Sequence, residues 1–162
     1  MDINSKEFLE FLVKAKKGTY ANGDASKSSS SRFLSKDYHY EDGNFTYHDT
    51  YFGGVKFMGE EVVYYNDNIL WGMNYYGVTL DDSLTEELMD KVLRVALMKV
   101  GEDKDIIPVR GPKEFINDDY LYTFNVYGNM ENFVGTERIY KDDKLIYELK
   151  CHGGFINWKY LV

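Results

Sequence analysis

Near the N-terminus, apolar side chains recur with the spacing of one face of a helix: Phe8, Leu9, Phe11, Leu12 and Ala15. Asn4 and Ser5 can cap the first turn, and Gly18 is a typical helix end. The pattern predicts a helix over residues 4–18. Its apolar face must dock onto another element.

A second helical pattern lies in the middle of the chain. Ser83 and Glu86 have the spacing of a capping box, and Gly101 is a typical stop. The apolar side chains between them form a broad face: Leu84, Leu88, Val92, Val95 and Ala96. This pattern predicts a helix over residues 83–100 that is covered on more than one side.

From residue 38 onward the pattern changes to the alternation of β-strands, rich in aromatic and β-branched residues. Turn residues at 41–44 and 66–67 divide the first stretch into a meander of about four strands ending at Gly77. A short strand is predicted at residues 106–109. Further strands are expected near residues 120–127, 133–141 and 144–152.

The chain contains an internal repeat. Residues 51–77 align without a gap with residues 127–153, at an offset of 76 residues. The identical pairs are Tyr51/Tyr127, Phe57/Phe133, Gly59/Gly135, Glu61/Glu137, Tyr64/Tyr140, Asp67/Asp143 and Gly77/Gly153. The sequence therefore predicts one α+β domain over residues 1–162. Its halves, about 4–80 and 82–160, are each a helix followed by an antiparallel meander, and together they form a curved, pseudo-twofold sheet covered by helices.

If residues 66–67 and 142–143 are two-residue hairpin loops, strand alternation assigns the faces. The predicted core face carries Met58, Val62, Tyr64, Ile69, Trp71, Met73 and Tyr75, then Val134, Tyr140, Leu145, Tyr147, Leu149 and Cys151. Cys151 is then a buried apolar residue rather than a nucleophile. The opposite face is mixed, with the paired carboxylates Glu61 and Glu137 among aromatic residues and glycines.

The repeated glutamates are the candidate catalytic residues. In a pseudo-symmetric fold, Glu61 and Glu137 can converge on the axis and serve as acid and base or hold a polar ligand. Alternatively, each glutamate is structural and pairs with a cation such as Lys150 or Arg110. The candidate ligand-binding residues on or near the mixed face are Phe57, Asn74, Tyr76, Arg110, Phe133, Lys150 and His152.

The abundance of aromatic residues suggests a cavity with flat walls. The chain has 15 tyrosines and 10 phenylalanines. The wall candidates are Tyr51, Phe52, Tyr75 and Tyr76. The sequence contains no nucleophile elbow and no dinucleotide loop, so no cofactor is predicted. No metal is predicted either, because His39, His48 and His152 are not at ligand spacing with a carboxylate.

The amino-acid composition limits the classes of binding partner and the cellular location that are expected for this protein. The formal net charge of −8, with 19 basic residues scattered among 27 acidic ones, argues against nucleic-acid binding. No apolar run is long enough for a membrane span, and the N-terminus does not resemble a signal peptide. A single cysteine fits a reducing compartment, so a cytoplasmic location is expected. An unknown small molecule is the expected partner, and a homodimer is left open.

Residues 22–32 are small and polar without periodicity, which predicts a flexible, Ser-rich surface loop. Lys27, Arg32 and the serines between them have the chemistry to contact a phosphate. The surface-loop interpretation is preferred, because no strand precedes the loop and no Gly-Lys-Ser/Thr sequence closes it.

Several motifs together resemble an uncharacterised bacterial family known only as a domain of unknown function. They are Tyr51-Phe52-Gly53-Gly54, Phe57-Met58-Gly59-Glu60-Glu61, Trp71-Gly72-Met73-Asn74-Tyr75-Tyr76-Gly77, Val109-Arg110-Gly111-Pro112, Gly135 with Glu137, and His152-Gly153-Gly154. Some family members follow a helix-turn-helix segment and are labelled transcriptional regulators. The resemblance covers about residues 8–156, and the chain has no room for such a segment before its first helix.

Three functions are consistent with these observations. The leading hypothesis is a small-molecule-binding or sensing module, based on the mixed face of carboxylates and aromatic rings. The second is a hydrolase or isomerase that uses Glu61 and Glu137. The third is a protein-interaction or regulatory domain without catalysis. The sequence does not decide whether the protein is an enzyme.

Overall fold

The computed structural model describes residues 5–81, 85 and 89–156. Its main element is a single eight-stranded antiparallel sheet with the strand order β1-β2-β3-β4-β8-β7-β6-β5. The strands are β1 (Lys36–Asp42), β2 (Phe45–Gly53), β3 (Lys56–Tyr65), β4 (Asn68–Thr79), β5 (Glu114–Asn117), β6 (Tyr120–Asn129), β7 (Asn132–Lys141) and β8 (Lys144–Phe155).

Helices are few and short in the described residues. α1 spans Ser5–Gly18, as predicted, and α2 spans Val95–Leu97 directly after a π-helical segment, Asp90–Arg94. Ser83, Leu84, Glu86 and Leu88, which belong to the second predicted helix, lie outside the described residues. No helix in residues 5–81 and 89–156 is both long and apolar enough to cross a membrane.

The predicted fold class is therefore wrong. Over the described residues the chain is mostly an eight-stranded antiparallel sheet with two short helices, and not a pair of helix-plus-meander repeats under a layer of helices. The dimensions give the physical reason. Eight strands spaced about 4.8 Å apart make a sheet roughly 34 Å wide, whereas the 14 residues of α1 span only about 21 Å.

What repeats is the arrangement of strands. β1–β4 and β5–β8 are two meanders joined through antiparallel pairing of β4 with β8. β3 and β7, like β4 and β8, have bounds that differ by 76 residues, which is the offset of the sequence repeat. The strand predicted at residues 106–109 is wrong, because the first strand of the second meander is β5.

The hairpin turns follow the prediction. Asn66 and Asp67 have φ angles of 48° and 60°, and Asp142 and Asp143 have φ angles of 47° and 65°. Two consecutive residues with positive φ are typical of a type I′ turn, whose twist matches that of the flanking strands. Asn and Asp tolerate this conformation better than other side-chain-bearing residues. Two-residue loops therefore join β3 to β4 and β7 to β8.

A β-bulge next to each turn reverses part of the predicted face assignment. Tyr64 pairs with Ile69, but Val63 pairs with Trp71, so Leu70 is an extra residue in β4. Ile146 is the equivalent extra residue in β8. Because side chains alternate along a strand, one extra residue brings the odd-numbered positions of β3 onto the face of Trp71. The predicted faces of β3 and β7 are therefore wrong.

We call the face that carries Trp71 the inner face, and the other the outer face. The apolar side of α1 packs on the inner face, where Phe8 lies 6.2 Å from Trp71 between ring centroids. Rings also stack across the junction of the halves, with Phe57 on Tyr147 at 6.4 Å and Trp71 on Phe133 at 5.9 Å. The prediction that Cys151 is buried is confirmed.

The segment from residue 19 to 35 wraps around the edge of β1. The Ser28 amide donates to the Asp37 carbonyl at 2.8 Å, which closes part of that edge. On the outer face, the buried Asp37 carboxylate accepts hydrogen bonds from Ser31 and Ser35 and lies 2.6 Å from His48 Nε2. Burial alone would raise the pKa of Asp37, but these hydrogen bonds outweigh it and hold the pKa well below its usual range.

We expect Asp37→Asn to lower the free energy of unfolding at neutral pH by about 1–3 kcal/mol, because it removes charge-assisted hydrogen bonds from a buried site. A depressed carboxyl pKa adds stability above the unfolded value of about 4, and that stability is lost as pH falls further. Urea unfolding of both proteins between neutral and strongly acidic pH measures the effect. A stability gap that stays constant over this pH range would contradict the assignment.

Candidate functional site

A cavity of about 510 Å³ lies on the inner face of the first meander. The β-strands supply its floor, the segment after α1 supplies Tyr20, and the helical region before β5 supplies an apolar wall of Met89, Leu93 and Leu97. Two carboxylates, Asp49 and Glu61, also line it. The cavity thus combines flat apolar walls with a few polar groups, which is typical of small-molecule sites.

Glu61 is fully buried at the centre of β3. Lys16 comes from the buried side of α1, and its Nζ donates a hydrogen bond to Glu61 Oε2. Burial lowers the pKa of Lys16 although Glu61 opposes the effect. Within the described part of the chain, Glu61 Oε1 has no hydrogen-bond partner. One oxygen of a buried carboxylate that lines the cavity is therefore left available as an acceptor.

Asp49 lies directly across from Glu61 in the β2–β3 ladder and is also buried. The hydroxyl of Tyr75 donates a hydrogen bond to Asp49 Oδ1 at 2.7 Å. The lack of a side chain at Gly59 leaves room for the Tyr75 hydroxyl, since a Cβ at this position would lie 2.4 Å from the Tyr75 oxygen. Burial raises the pKa of Asp49 to about 8, the charge of Glu61 adds to the effect, and the Tyr75 hydrogen bond opposes it.

Glu137 occupies the equivalent position of β7 but has a different environment. Arg110 binds it through two hydrogen bonds, from Nε to Oε2 at 2.9 Å and from Nη2 to Oε1 at 2.7 Å. Tyr122 donates to Oε2 at 2.7 Å and Tyr147 to Oε1 at 3.0 Å. A carboxylate offers about four acceptor positions, so Glu137 is saturated. Burial disfavours the charge of Arg110, but the attraction of Glu137 outweighs this effect and raises the pKa of Arg110 well above its ordinary value.

Tyr20 connects the two buried ion pairs. Lys16 Nζ lies 5.4 Å and Arg110 Cζ 5.1 Å from the centroid of the Tyr20 ring, within the range of cation–π contacts. Burial raises the pKa of Tyr20 well above its ordinary value, so its hydroxyl stays protonated. That hydroxyl has no hydrogen-bond partner among the described residues. It is a second polar group of the cavity that is free to bind a ligand.

The two halves differ at one decisive position. Asp49 pairs with Glu61 in the first meander, and Phe124 pairs with Glu137 in the second. Phe124 lies over Gly135, where a Cβ would be 2.7 Å from its ring. The second half is therefore filled by its own aromatic side chain. The first half has a carboxyl group and the cavity instead.

The structure brings together only some of the predicted site residues. Glu61, Glu137, Phe57 and Phe133 share the inner face, and Arg110 lies there with Glu137. Glu61, Phe57 and Arg110 line the cavity, whereas Phe133 is stacked on Trp71. The predicted residues on the exposed outer face are Asn74, Tyr76, Lys150 and His152. Of the predicted aromatic walls, Tyr51 and Tyr75 line the cavity, and Phe52 and Tyr76 do not.

Among the residues around Glu61, three were not predicted as ligand contacts: Asp49, Lys16 and Tyr20. Two of them carried a sequence signal, which was a charge at a position expected to be apolar. Asp49 follows Phe45 and Tyr47 at the period of a strand face, and Lys16 follows Leu12 at the period of a helix face. A charged or polar group on a buried face requires a hydrogen-bond partner, and these partners are Glu61 for Lys16 and Tyr75 for Asp49. Tyr20 had no comparable signal.

In residues 5–81 and 89–156, no group of three or more His, Cys, Asp or Glu side chains is arranged to hold a metal ion. The carboxyl groups of the cavity are already engaged, Glu61 by Lys16 and Asp49 by Tyr75. His48 binds Asp37 on the outer face and is separated from Asp49 by the sheet. The arrangement is thus suited to hydrogen bonding with an organic ligand.

Residues 49–156 match the family described as Domain of unknown function (DUF5680). The chain belongs to the DUF5680 family. The resemblance to an uncharacterised domain family is thereby confirmed, whereas the bacterial origin and the association with regulators stay predictions. The DUF5680 match includes Asp49, Glu61, Arg110 and Glu137, and Lys16 lies outside it. No curated protein and no solved structure matches the chain.

The two glutamates of this DUF5680 domain should differ in their structural role. We expect Glu137→Gln to cost about 3–5 kcal/mol of unfolding free energy, because it leaves the buried Arg110 charge uncompensated. Glu61→Gln should cost less, since Lys16 can release its proton and arginine cannot. Urea unfolding of the two variants at neutral pH tests this order. Equal losses, or a larger loss for Glu61→Gln, would contradict it.

Asp49 should make stability depend on pH. A carboxyl pKa that is raised in the folded state means that the unfolding free energy falls as pH rises from about 4 through the folded value. The amide in Asp49→Asn cannot ionise. The melting temperature of this variant, measured relative to that of the wild type, should therefore be higher at about pH 9 than at about pH 5. Thermal unfolding at both values measures the change, and Asp67→Asn, in an exposed turn, is the control. Parallel profiles for the Asp49 variant and the wild type would refute the prediction.

Proposed function

We propose that this DUF5680 protein binds a small polar molecule in the cavity of its first meander. The main support for this proposal is Glu61, which is fully buried, lines the cavity and has one carboxylate oxygen without a hydrogen-bond partner among the described residues. A buried acceptor without a hydrogen bond costs about 1–3 kcal/mol. A ligand that donates a hydrogen bond to this oxygen removes that cost on binding.

The neighbouring groups define what such a ligand needs. With a pKa of about 8, Asp49 is mostly protonated at neutral pH and can donate a hydrogen bond, while Glu61 Oε1 can accept one. The Tyr20 hydroxyl can do either. These three groups complement a head group with both donors and acceptors, such as an amide or an amino-substituted ring. A purely apolar ligand would leave them unsatisfied.

The aromatic walls supply the apolar part of the affinity. Tyr38 and Tyr51 stack on one side at 6.4 Å between centroids, and Phe57 and Tyr147 stack on the other at 6.4 Å. Rigid rings in contact with a ligand lose little conformational entropy on binding. Because β1 and β2 hold one stacked pair and β3 and β8 hold the other, the site is largely formed before the ligand enters.

A thermal-shift screen against small metabolites tests this function. We expect at least one compound to raise the melting temperature, because a ligand that binds only the folded state stabilises it by mass action. The shift should be lost in Asp49→Asn and in Glu61→Gln. It should be retained in Asn74→Ala, which changes an exposed residue of the outer face.

The readout separates ligand binding from folding. Glu61→Gln changes stability as well as the site, so the shift must be compared with the melting temperature of each variant without ligand. Asp49→Asn is the sharper variant, because it replaces a carboxyl group that is mostly neutral at this pH with an amide of similar size and is not expected to unfold the protein. A ligand shift that survives in both variants would place binding outside this cavity and overturn the proposal.

Acid–base catalysis, as in a hydrolase or isomerase, is the second candidate, and the raised pKa of Asp49 beside Glu61 favours it. A carboxyl group whose pKa is raised close to neutrality is suited to act as a general acid or base. Glu137 is not suited to this role, because its four hydrogen bonds occupy both oxygens. Turnover of a bound compound should fall as pH rises through about 8, and Asp49→Asn should abolish it together with the thermal shift. Binding without turnover at any pH would leave a binding module.

A further inference from the structure

We infer that the ligand of this cavity carries an anionic group, a phosphate or a carboxylate, which binds at the mouth. Its hydrogen-bonding head group binds at the buried end beside Glu61. The inference rests on the proposed function and specifies the class of molecule. It is carried by three cationic side chains that line the same cavity as Asp49 and Glu61: Lys27, Lys36 and Arg94.

The three cations converge on one stacked pair of tyrosines. Lys36 Nζ lies 5.9 Å from the centroid of the Tyr51 ring, and Tyr51 is stacked on Tyr38. Lys27 and Arg94 are close enough to Tyr38 that their charges act to lower its pKa, against the larger effect of burial. The mouth is therefore flanked by positive charge contributed by the loop after α1, by β1 and by the helical region before β5.

Most of this charge is available to a ligand. Arg94 forms an ion pair with Asp90, with 3.0 Å between Nη1 and Oδ1. Lys27 and Lys36 are exposed and form no ion pair within the described residues. The concentration of cations is notable because the chain as a whole has a formal net charge of −8. A positive mouth on an acidic protein attracts anionic solutes selectively to this opening.

The strands set the separation between the two ends of the ligand. Lys36 pairs with Tyr51, and Tyr38 pairs with Asp49, which lies two residues before Tyr51 in β2. Two residues of a strand span about 7 Å, so Lys36 and Asp49 are attached to the sheet at backbone positions roughly that far apart along the strands. The cationic mouth and the hydrogen-bonding end of the cavity are thus separated along the direction of β1 and β2. A molecule with a donor-bearing head at one end and an anion at the other matches both.

The charge of the buried end supports this orientation. Glu61 is bonded to Lys16, and Glu137 to Arg110, so each interior charge has its counterion inside the protein. Asp49 is mostly neutral at physiological pH. An anionic group placed there would face Glu61 Oε1, which can only accept hydrogen bonds when ionised. The anion therefore belongs at the mouth, where it also remains partly hydrated.

Titration with simple anions tests the mouth without knowledge of the natural ligand. Inorganic pyrophosphate and citrate are added to the 162-residue protein, with sodium chloride at matched ionic strength as the reference, and unfolding is followed by thermal shift. We expect stabilisation beyond the sodium chloride control. The double variant Lys27→Gln/Lys36→Gln should bind these anions about tenfold more weakly, because two exposed charge contacts are lost.

The control is the double variant Lys14→Gln/Lys113→Gln, which removes the same net charge from exposed positions outside the cavity. It should respond like the wild type. A stronger response to pyrophosphate than to citrate identifies a phosphate ester as the ligand class, and the reverse identifies a carboxylic acid.

Two results would overturn the inference. One is that pyrophosphate and citrate stabilise no more than sodium chloride does, and the other is that both double variants respond alike. Either result leaves the proposed function separately testable, because that function depends on a metabolite response that is lost in Asp49→Asn and Glu61→Gln. A metabolite response of that kind without an anion response would mean that the cavity binds an uncharged ligand.

Discussion

The structure depends on the pairing of charges that the fold buries on the inner face. Lys16 on α1 reaches Glu61 on β3, and Arg110 reaches Glu137 on β7, so each ion pair ties an element outside the sheet to the centre of a meander. A buried ion pair costs desolvation and is not by itself evidence of stability. Its effect here is on geometry, since a displaced α1 would leave two charges without partners.

The pseudo-symmetry of the sheet makes the difference between the halves informative. Equivalent strands carry equivalent glutamates, yet the residue opposite each glutamate is Asp49 in one half and Phe124 in the other. In the second half, tyrosines and arginine complete the hydrogen bonds of Glu137, and the space is closed. In the first half one acceptor stays open beside a cavity. The same backbone therefore supports a structural centre and a candidate binding site.

Local features could be predicted from the sequence, and the global arrangement could not. The limits of α1, the two type I′ turns and the strands around them follow from capping residues, turn residues and alternation. The faces of β3 and β7 were assigned wrongly because one extra residue, Leu70 or Ile146, reverses strand parity and has no sequence signature of its own. For the site, Glu61 was found through the repeat, while Asp49 and Lys16 required knowledge of which faces are buried.

The segment between α1 and β1 belongs to two environments at once. It places Tyr20 and Lys27 in the cavity wall, crosses the edge of β1, and presents Ser31 and Ser35 to Asp37 on the other side of the sheet. Movement of this wall away from the cavity would pull against hydrogen bonds on the opposite face. These hydrogen bonds would therefore slow the release of any molecule bound in the cavity, although they lie on the opposite face of the sheet.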